Sequence, residues 1–355
     1  MLLVTFHGGS SGINNVQAYS TKDGKLKNPA ALAPGDNTLS ELRAMVLANG
    51  LLYVANGAKS ESTVLAYAVP SSGTSFTNPS IVIGPTTSKK GHFETSIAHP
   101  FGIAFENATT CFISNQDTNT VSQVTVSHGG RNGSLAEGCR SAYLNGLFPG
   151  GSFLDGSYVA SQVGILSNVN VITTVVDHAH GGLGASLDSS GKVQNSVRDV
   201  AIANGILLVC DEPEQVINLY SLADGSYLGS SNPLQNSPTH LLVENGGLYV
   251  SAGSSLYWGQ LPPSAASASL ALQPVAVTPP SSGDKIGGIS FKGSSTVYIP
   301  FQQGTGDSKK PGGSIFSYTV GQQNQSALPV LSNGAPLVAS LTDTPEFVLH
   351  WSDGS

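Results

Sequence analysis

The apolar positions of this chain recur in short runs that are separated by pairs of turn residues. The run after Asn49-Gly50 returns after Asn204-Gly205 and again at Gly246-Gly247, each time with another apolar run just before the turn. Asn-Gly or Gly-Gly between β-branched or aromatic runs predicts a hairpin, because a tight primed turn needs positive φ. Each copy therefore predicts two antiparallel strands, and a β-prone run after each copy predicts a third.

A hairpin unit that returns every several tens of residues is typical of a repeat architecture. With this strand content it favours an all-β fold, a six-bladed β-propeller. We expect blades two and three to begin at Leu42 and Pro100, and blades four, five and six at Val197, Thr239 and Ile286. The pattern predicts no helix of ordinary length.

The first blade lacks an inner strand at the start of the chain. Val4 to Phe6 and Val16 to Ser20 read as its strands, with nothing before them to line the channel. Thr344 to Trp351 shows the Pro-then-apolar pattern that also starts the runs at Pro100 and Pro238. We expect this segment to complete the first blade, because such closure removes the open strand edges of a ring.

The starts of blades three and four lie almost twice as far apart as the others. We interpret residues 1–355 as one propeller domain with a loop insertion at about 129–195, rich in Gly and Ser. Phe153 to Ser161 is the predicted outer strand of blade three. A seventh blade within Val169 to Ser190 remains the alternative, although no Gly-turned hairpin with the common spacing occurs there.

Charge limits the classes of partner. Charged residues make up 10% of the chain, against roughly 25% in an average soluble domain. The net charge of −7 comes from scattered carboxylates, with no basic stripe for nucleic acid or anionic membranes. No apolar run approaches the ~18 residues of a membrane span. We expect small apolar molecules as partners, no nucleic acid and no membrane; the oligomeric state stays open.

Cysteine usage and sequons bear on the compartment. The chain's 3 cysteines cannot form a disulfide framework, although Cys111 and Cys139 could pair. Sequons stand at Asn107, Asn132 and Asn324, about as many as chance gives in this composition. We expect a secreted or secretory-pathway glycoprotein whose signal peptide is absent from this sequence, since the chain starts directly on a predicted strand.

Candidate site residues follow from the propeller geometry. The loops that enter the inner strands and the loops that leave the second strands meet on one face of a propeller. The residues at these positions offer cationic donors, carboxylates and aromatic rings, as small-ligand pockets do. They are Arg43, His99, Arg198, Asp199, His240, Lys285 and Glu346 before or at the inner strands, and His7, Asn56, Asn115, Asp117, Asp211, Glu212, Ser254, Phe301 and Gln302 after the second strands.

Several of these residues also have a purely structural interpretation. Arg198 and Asp199 could form a local ion pair, and His99 and His240 could be satisfied core histidines. Glu346 and Glu212 are stronger candidates, because carboxylates at a channel mouth rarely pack well without a partner.

Other motifs carry less weight. Asp177-His178-Ala179-His180 resembles a metal clip, but His-x-His alone is a weak signal and a solvated loop is the commoner case. The Gly-rich runs lack the strand-to-helix context of a phosphate cradle. No Gly-x-Ser-x-Gly elbow occurs, and Cys210 inside an apolar strand is expected to be inert.

The segment from Pro100 to Asn115 carries the clearest family resemblance. Its Pro-x-Gly-Ile-Ala-Phe pattern, followed by a short turn and a strand ending in Ser-Asn, resembles the repeat of lactonase, SMP-30 and NHL-like propellers. Val197 to Glu212, followed by the Ala-Asp-Gly turn at Ala223, is similar to a fungal subgroup associated with secondary metabolism. Within it, the overall pattern most resembles the propeller enzymes of tropolonic sesquiterpene biosynthesis. The resemblance implies a hetero-Diels–Alderase that joins a tropolone o-quinone methide to a humulene-type alkene.

Three functional hypotheses follow. The first is a pericyclase without metal or cofactor, with Arg198, His240 or Arg43 as donor to the quinone-methide carbonyl. Its substrate-binding residues would be His99, Phe101, Asp211, Glu212, Tyr257, Trp258, Phe301 and Glu346.

The second hypothesis is a divalent-metal lactonase or related hydrolase. The resemblance implies Glu346, Asn56, Asn115 and Asp211 near the channel axis as its ligands, with His240 as base. The neighbouring Arg43, Arg198 and His240 oppose it, because cations repel a divalent ion. The third hypothesis is a non-catalytic propeller that binds a protein or glycan with the same face.

Overall fold

The computed structural model contains six β-sheets arranged as the blades of a propeller. The described residues are 1–8, 12–58, 62–84, 97, 99–117, 119–126, 169–174, 186–187, 193–194, 197–303, 311–321 and 327–352. Among them the only helix is one 3-10 turn, Ala265–Ser267, and no helix is long and apolar enough to cross a membrane. The predicted all-β, six-bladed fold is confirmed.

Each blade is an antiparallel sheet, and its strands are ordered from the channel outwards. Blade one is Pro345–His350, Leu2–Phe6, Gln17–Tyr19 and Leu26–Asn28; blade two is Leu42–Ala48, Leu51–Asn56, Thr63–Ala68 and Ile81–Ile83; blade three is Pro100–Phe105, Thr110–Asn115, Thr120–Val126 and Val169–Thr174. Blade four is Val197–Ala203, Ile206–Asp211, Val216–Ser221 and Tyr227–Ser230; blade five is Pro238–Glu244, Gly247–Ala252, Ser255–Gln260 and Gln273–Val275. Blade six starts with two short pieces, Lys285–Ile286 and Ser290–Lys292, before Thr296–Gln302, Gly313–Val320 and Leu331–Leu341; Ser186–Leu187 and Val193–Gln194 form a separate small hairpin.

The predicted closure of the ring is confirmed. Pro345–His350 pairs with Leu2–Phe6 as the inner strand of blade one, with Leu3 opposite Leu349. The terminal amine of Met1 donates to the Trp351 carbonyl at 2.8 Å, and the Trp351 amide donates back to the Met1 carbonyl at 2.9 Å. The tail therefore supplies the strand that the head lacks.

The hairpin turns follow the glycine prediction, with one adjustment. Asn49-Gly50 and Asn204-Gly205 have positive φ at both residues, as a primed turn requires. In the third copy the turn is Asn245-Gly246, and Gly247 already belongs to the next strand. The Gly246-Gly247 prediction was one residue late because Asn tolerates the left-handed conformation nearly as well as Gly.

Blade three differs from the prediction at its outer edge. Its outer strand is Val169–Thr174, which pairs with Thr120–Val126. The predicted outer strand, Phe153 to Ser161, lies outside the described residues. Because Val169–Thr174 completes blade three, it does not start a seventh blade. The rest of the expected insertion at 129–195 falls mostly outside the described residues, so its loop character stays a prediction.

The core lies between the blades, where the sheet faces pack against each other. Alternate residues of a strand point to opposite faces and so enter different interfaces. Leu52, Tyr53 and Val54 of blade two are fully buried in this way. The second and third strands of blade four, Ile206–Asp211 and Val216–Ser221, are buried at every position, which explains their nearly continuous apolar sequence.

Candidate functional site

A bulge recurs at the start of the inner strands. In blades one to five the pairing register between inner and second strand shifts just after the first paired residue of the inner strand. Bulges bend a strand and re-aim its side chains. The residues that they orient are the second ones of each inner strand: Glu346, Arg43, Phe101, Arg198 and Thr239. We call this end of the ring the mouth, formed by the starts of the inner strands and the ends of the second strands.

Phe101 lies between two arginines at the mouth. The Arg43 guanidinium carbon is 5.9 Å from the centroid of the ring, and that of Arg198 is 5.3 Å away. Both separations allow a cation–π attraction, which is worth more where the groups are removed from water. Three consecutive blades thus place Arg, Phe and Arg at equivalent positions in contact with one another.

An aromatic cluster lies across the channel axis. The His240 ring meets the Phe347 ring edge-on at 4.5 Å, and Phe101 lies 5.4 Å from His240 and 5.8 Å from Phe347. These rings come from blades five, one and three, so contacts among them span the ring. Gly288 of blade six makes room, because a Cβ there would lie 2.3 Å from the Phe347 ring. We call Phe101, His240 and Phe347 the aromatic plug.

Glu346 is the buried anion of the mouth. Its carboxylate lies 3.8 Å from Arg43 Nη1, 3.5 Å from His7 Nδ1 and 3.7 Å from His240 Nε2, and it accepts a 3.4 Å hydrogen bond from Gln302. Burial opposes the charge, but Arg43 first and then the histidines outweigh it, so the pKa of Glu346 lies well below its ordinary value. Glu346 is therefore ionised and held by cationic and polar neighbours.

His240 is a neutral part of the plug. Burial lowers the pKa of His240 below its ordinary value, against the opposing effect of Glu346. Its Nδ1 lies 2.8 Å from the Thr239 hydroxyl. A bare Nε2 lone pair would face the Glu346 carboxylate, so the favoured tautomer carries the proton on Nε2. The sequence left His240 between a core and a catalytic role, and its burial places it in the core of the channel.

Arg198 and Glu212 form the accessible ion pair of the mouth. Arg198 Nε donates to Glu212 Oε2 at 2.7 Å, and the two side chains are 21% and 17% exposed. Arg43, by contrast, is only 3% exposed and His240 only 4%. Of the three predicted catalytic residues, Arg198 alone presents appreciable surface, while Arg43 and His240 lie beneath it. Arg198 does not pair with Asp199, as the structural alternative supposed; its partner is Glu212.

His99 is clamped between two carboxylates. Its Nε2 lies 3.2 Å from Glu41 Oε2, and its Nδ1 lies 3.3 Å from Asp117 Oδ1. Glu41 also contacts Arg43 Nη2 at 3.5 Å. Sequence reasoning missed Glu41, although it stands directly before the inner strand of blade two as His99 stands before that of blade three. The repeat register was the signal that could have found it.

Asp211 forms hydrogen bonds within its own hairpin. Asp211 is fully buried and accepts hydrogen bonds from Asn218 Nδ2 at 2.9 Å and from the Glu214 amide at 3.2 Å. Asn56 and Asn115 end the second strands of blades two and three, and each donates to the residue seven positions on, Thr63 at 3.1 Å and Ser122 at 2.9 Å. These repeated i to i+7 bonds fix the turn between the second and third strands. Asp211 thus holds its own hairpin together, and its role in substrate binding stays a prediction.

The same contacts test the fit of a divalent cation. The side chains of Asn56, Asn115 and Asp211 are hydrogen-bonded within their own hairpins, and Arg43 lies beside Glu346. A cation on the axis would meet a guanidinium there instead of a free set of oxygens. Among the described residues no group of three His, Cys, Asp or Glu could hold a metal ion. These residues do not fit the ligand set that the hydrolase hypothesis requires.

Three predicted aromatic residues lie away from the mouth. Tyr257 packs into the apolar cluster between blades four and five, and Trp258, its neighbour on the strand, packs into the cluster towards blade six. Phe301 is fully buried and meets Phe316 edge-on at 5.4 Å. The strand alternation sends these side chains into the blade interfaces, so they do not line the mouth as predicted.

Asp199 occupies a different buried environment. Oδ1 accepts from the Val200 amide and Oδ2 from the Leu241 amide, both at 2.9 Å. Burial raises the pKa of Asp199 to about 7, against these two bonds. The carboxyl joins blades four and five beneath the mouth, where a Cβ on Gly102 of blade three would lie 2.2 Å from Oδ1.

The other sequence motifs have mixed outcomes. Asp177 to His180 and Cys139 lie outside the described residues, so the metal clip and the Cys111–Cys139 pair stay predictions. Cys111 and Cys210 are both buried. Burial raises the pKa of the Cys111 thiol to about 12 and that of Cys210 well above its ordinary value, as expected for inert thiols.

Comparison with known proteins supports the fold. The chain matches no protein-family model and no curated protein. Its structure is similar to the β-propeller domain of Cps50 (Swd1) from Myceliophteria thermophila, with a TM-score of 0.50 and 8% identity over 94% of this chain and 85% of that one.

Two propellers of enzymes or assigned enzymes are also similar. Virginiamycin B lyase from Staphylococcus aureus gives a TM-score of 0.42 and 8% identity, over 89% of this chain and 80% of that one. A Bacteroides uniformis protein provisionally assigned as a 6-phosphogluconolactonase gives 0.48 and 10%, over 98% and 83%. The likeness to the Cps50 domain supports the β-propeller fold alone, the resemblance to lactonase-like propellers stays an expectation, and identities this low carry no activity across.

Proposed function

We propose that the mouth catalyses an intermolecular hetero-Diels–Alder cycloaddition between an o-quinone methide of the tropolone class and a humulene-type alkene. One observation carries the proposal: Phe101 lies between the guanidinium groups of Arg43 and Arg198, over an aromatic plug, with Arg198 partly exposed. The sequence resemblance to tropolonic sesquiterpene enzymes suggests the pair of reactants.

The reaction suits a site of this composition. One C–C and one C–O bond form from the oxadiene and the alkene, and no proton, electron or leaving group is transferred. The step needs two partners held in a near-attack pose, which alone removes much of the barrier. It gains further from a donor at the oxygen on which negative charge grows. It requires no nucleophile.

Arg198 is the donor in this proposal. Its Nε bond to Glu212 fixes the plane of the guanidinium, and we assign the terminal NH₂ groups of this partly exposed side chain to the reactant oxygen. Phe101 and its contacts support that guanidinium from below. Arg43 and His240 are too deeply buried to touch a reactant, so we assign them to holding Glu346 and the plug. We further propose that the protein acts on small apolar substrates without a metal. In this proposal it works in the secretory pathway and binds neither nucleic acid nor membranes.

The test uses purified protein with an o-quinone methide released in situ and a humulene-type alkene. We expect Arg198→Ala to slow adduct formation by ~10²-fold, the effect of removing one donor to a developing oxyanion, and to erode stereoselectivity. Lys25→Ala is the matched control, because Lys25 forms an exposed pair with Asp23 on blade one. Unchanged rate and stereochemistry in Arg198→Ala would remove Arg198 from the mechanism.

A chelator arm separates the hydrolase alternative from the cycloaddition. A metal-dependent lactonase should lose turnover of lactones on chelation, whereas the proposed cycloaddition should be unaffected. If the wild-type protein turns over neither substrate class, the mouth is better explained as a non-catalytic binding face.

A further inference from the structure

The two carboxylates beside His99 favour a doubly protonated ring, although Nε2 is not aligned for a hydrogen bond to Glu41 and the Asp117 side chain is 58% exposed. A neutral imidazole carries one N–H and one lone pair, so only the imidazolium can donate to two carboxylates. Glu41 lies at 3.2 Å from one ring nitrogen and Asp117 at 3.3 Å from the other. A neutral ring would place a lone pair against one of the two carboxylates.

The backbone on both sides of this contact adopts a costly conformation. Glu41 and His99 both have φ of 49°, which is uncommon for residues other than Gly. Each is held by an amide from the end of its own second strand: Gly57 donates to the Glu41 carbonyl at 3.2 Å and Gln116 to the His99 carbonyl at 3.1 Å. Gly57 also allows the close approach, because a Cβ there would lie 2.7 Å from His99 Cδ2. Strain at two equivalent positions points to a role for the contact.

The clamp continues into the site as a row of alternating charges. From blade three to blade one the order is Asp117, His99, Glu41, Arg43 and Glu346. Arg43 is therefore shared between two carboxylates, at 3.5 Å from Glu41 and 3.8 Å from Glu346, while it packs over Phe101. If His99 loses its charge, Arg43 is the nearest cation left to Glu41 among the described residues, with His7 contributing from further away.

We propose that His99 is a positioning residue: its imidazolium engages Glu41, and this keeps Arg43 shared with Glu346 and stacked on Phe101. Loss of that charge draws Arg43 towards Glu41 and loosens the Phe101 support beneath Arg198. The mouth is then assembled only while His99 is protonated. The consequence for catalysis rests on the proposed function, whereas the assembly of the row does not.

The groups that face His99 are consistent with this role. They are Glu41 and Arg43 from blade two and Asp117 from the turn after the second strand of blade three. Burial lowers the pKa of His99, and Asp117 and Glu41 outweigh burial and Arg43, so the net shift is upward. The hydrogen bond from His99 in turn lowers the pKa of Glu41, against burial. Each partner favours the charged form of the other.

The first experiment needs no substrate. In protein labelled with 15N-histidine and 15N-arginine, we expect both His99 nitrogens to stay protonated above pH 6.5, the ordinary pKa of a histidine. In Asp117→Asn the His99 titration should move to lower pH, with Asp23→Asn as the matched control at an exposed carboxylate. If His99 in the wild-type protein titrates at or below its ordinary pKa of 6.5, the proposal is wrong.

A second variant tests positioning directly. His99→Asn removes the charge, and Asn adopts positive φ more readily than most residues, so the fold should survive. We expect the Arg43 Nε resonance of this variant to match that of the wild type above the His99 titration. An Arg43 resonance that is the same in His99→Asn and in protonated wild type would overturn the proposal.

The activity arm is kept separate. For the cycloaddition, the wild-type kcat/KM should fall by ~10–100-fold as His99 deprotonates, the scale of a ~1 Å misplacement. This fall in kcat/KM should occur at lower pH in Asp117→Asn and be absent in His99→Asn. If the same fall in kcat/KM persists in His99→Asn, His99 is not the positioning residue. If no cycloaddition occurs at all, the proposed function fails while the resonance experiments still decide the role of His99.

Discussion

Glu346 and Asp199 are two carboxyl groups with nearly the same burial and pKa shifts in opposite directions. They are 6% and 3% exposed, on the inner strands of blades one and four. Glu346 lies among Arg43 and two histidines, which hold its pKa well below the ordinary value. Asp199 meets backbone amides of Val200 and Leu241, and burial raises its pKa to about 7.

The difference shows that burial alone does not set the charge of a group in this channel. The Arg43 guanidinium and the neighbouring histidine side chains outweigh the desolvation of Glu346, while two amide dipoles do not outweigh that of Asp199. The mouth therefore holds an ionised carboxylate within a cationic network, while beneath it a carboxyl group with a raised pKa joins blades four and five. Each of the following changes alters one member of this comparison.

The largest effect is expected for Glu346→Gln. This change removes one of the two carboxylates that pair with the buried Arg43 and leaves Glu41 alone with it. Breaking a buried ion pair on one side costs about 3–5 kcal/mol of unfolding free energy. Denaturant unfolding at neutral pH measures it. The exposed Glu106→Gln is the control, and a loss below ~1 kcal/mol for Glu346→Gln, as for surface changes, would contradict the buried network.

The pH dependence of stability should differ in sign between the two carboxyls. Asp199 has a raised pKa, so the native state holds its proton more tightly, and stability falls as the pH rises through about 7. We expect its contribution to fall by about 2–3 kcal/mol between about pH 5 and about pH 7.5. Glu346 has a lowered pKa, so its contribution is present above its ordinary value of 4.5 and is lost as the pH falls through the folded pKa.

Denaturant unfolding curves of wild type and Asp199→Asn across this pH range measure the contribution of Asp199 to the pH dependence of the unfolding free energy. The amide cannot ionise, so the variant should lose the decline between the two pH values. The variant should also be less stable than wild type at low pH, because its NH₂ group must face one of the two backbone amides that donate to Asp199. An unchanged decline in the variant would show that another group causes it.

The smallest effect is expected for Gly102→Ala. The added Cβ would lie 2.2 Å from Asp199 Oδ1 and 2.7 Å from the Val200 amide nitrogen, so blade three must move away from blade four. Overpacking of this kind costs about 1–3 kcal/mol. Gly84→Ala is the matched control, because its Cβ would find its nearest atom at an ordinary 3.5 Å. Equal melting temperatures for the two variants would mean that the contact with Asp199 is loose.

The fold was predictable because its signals are local or repeated. Asn49-Gly50 and Asn204-Gly205 fix hairpins through backbone conformation alone, and the Pro-Glu-Phe start at Pro345 matches the other inner strands. The outer strand of blade three was misplaced because it is joined by a long segment, which gives no spacing to follow. Weak outer strands carry little pattern, since one edge of each is unpaired.

The site was only partly predictable. Arg43, Phe101, Arg198 and Glu346 were identified because they share a position in the repeat, and the structure brings them together. Their depth was not predictable: which arginine reaches solvent depends on bulges and on glycines in other blades. The Asp211–Asn218 hydrogen bond and the interface position of Tyr257 were not predicted, because the sequence gives no sign of which neighbour such a side chain meets.

The pairing of Leu2–Phe6 with Pro345–His350 also has a consequence for biosynthesis. During translation the inner edge of Leu2–Phe6 stays unpaired until more than 340 later residues have been added. Folding yield should thus depend on the last strand being made, whatever the stability of the other five blades.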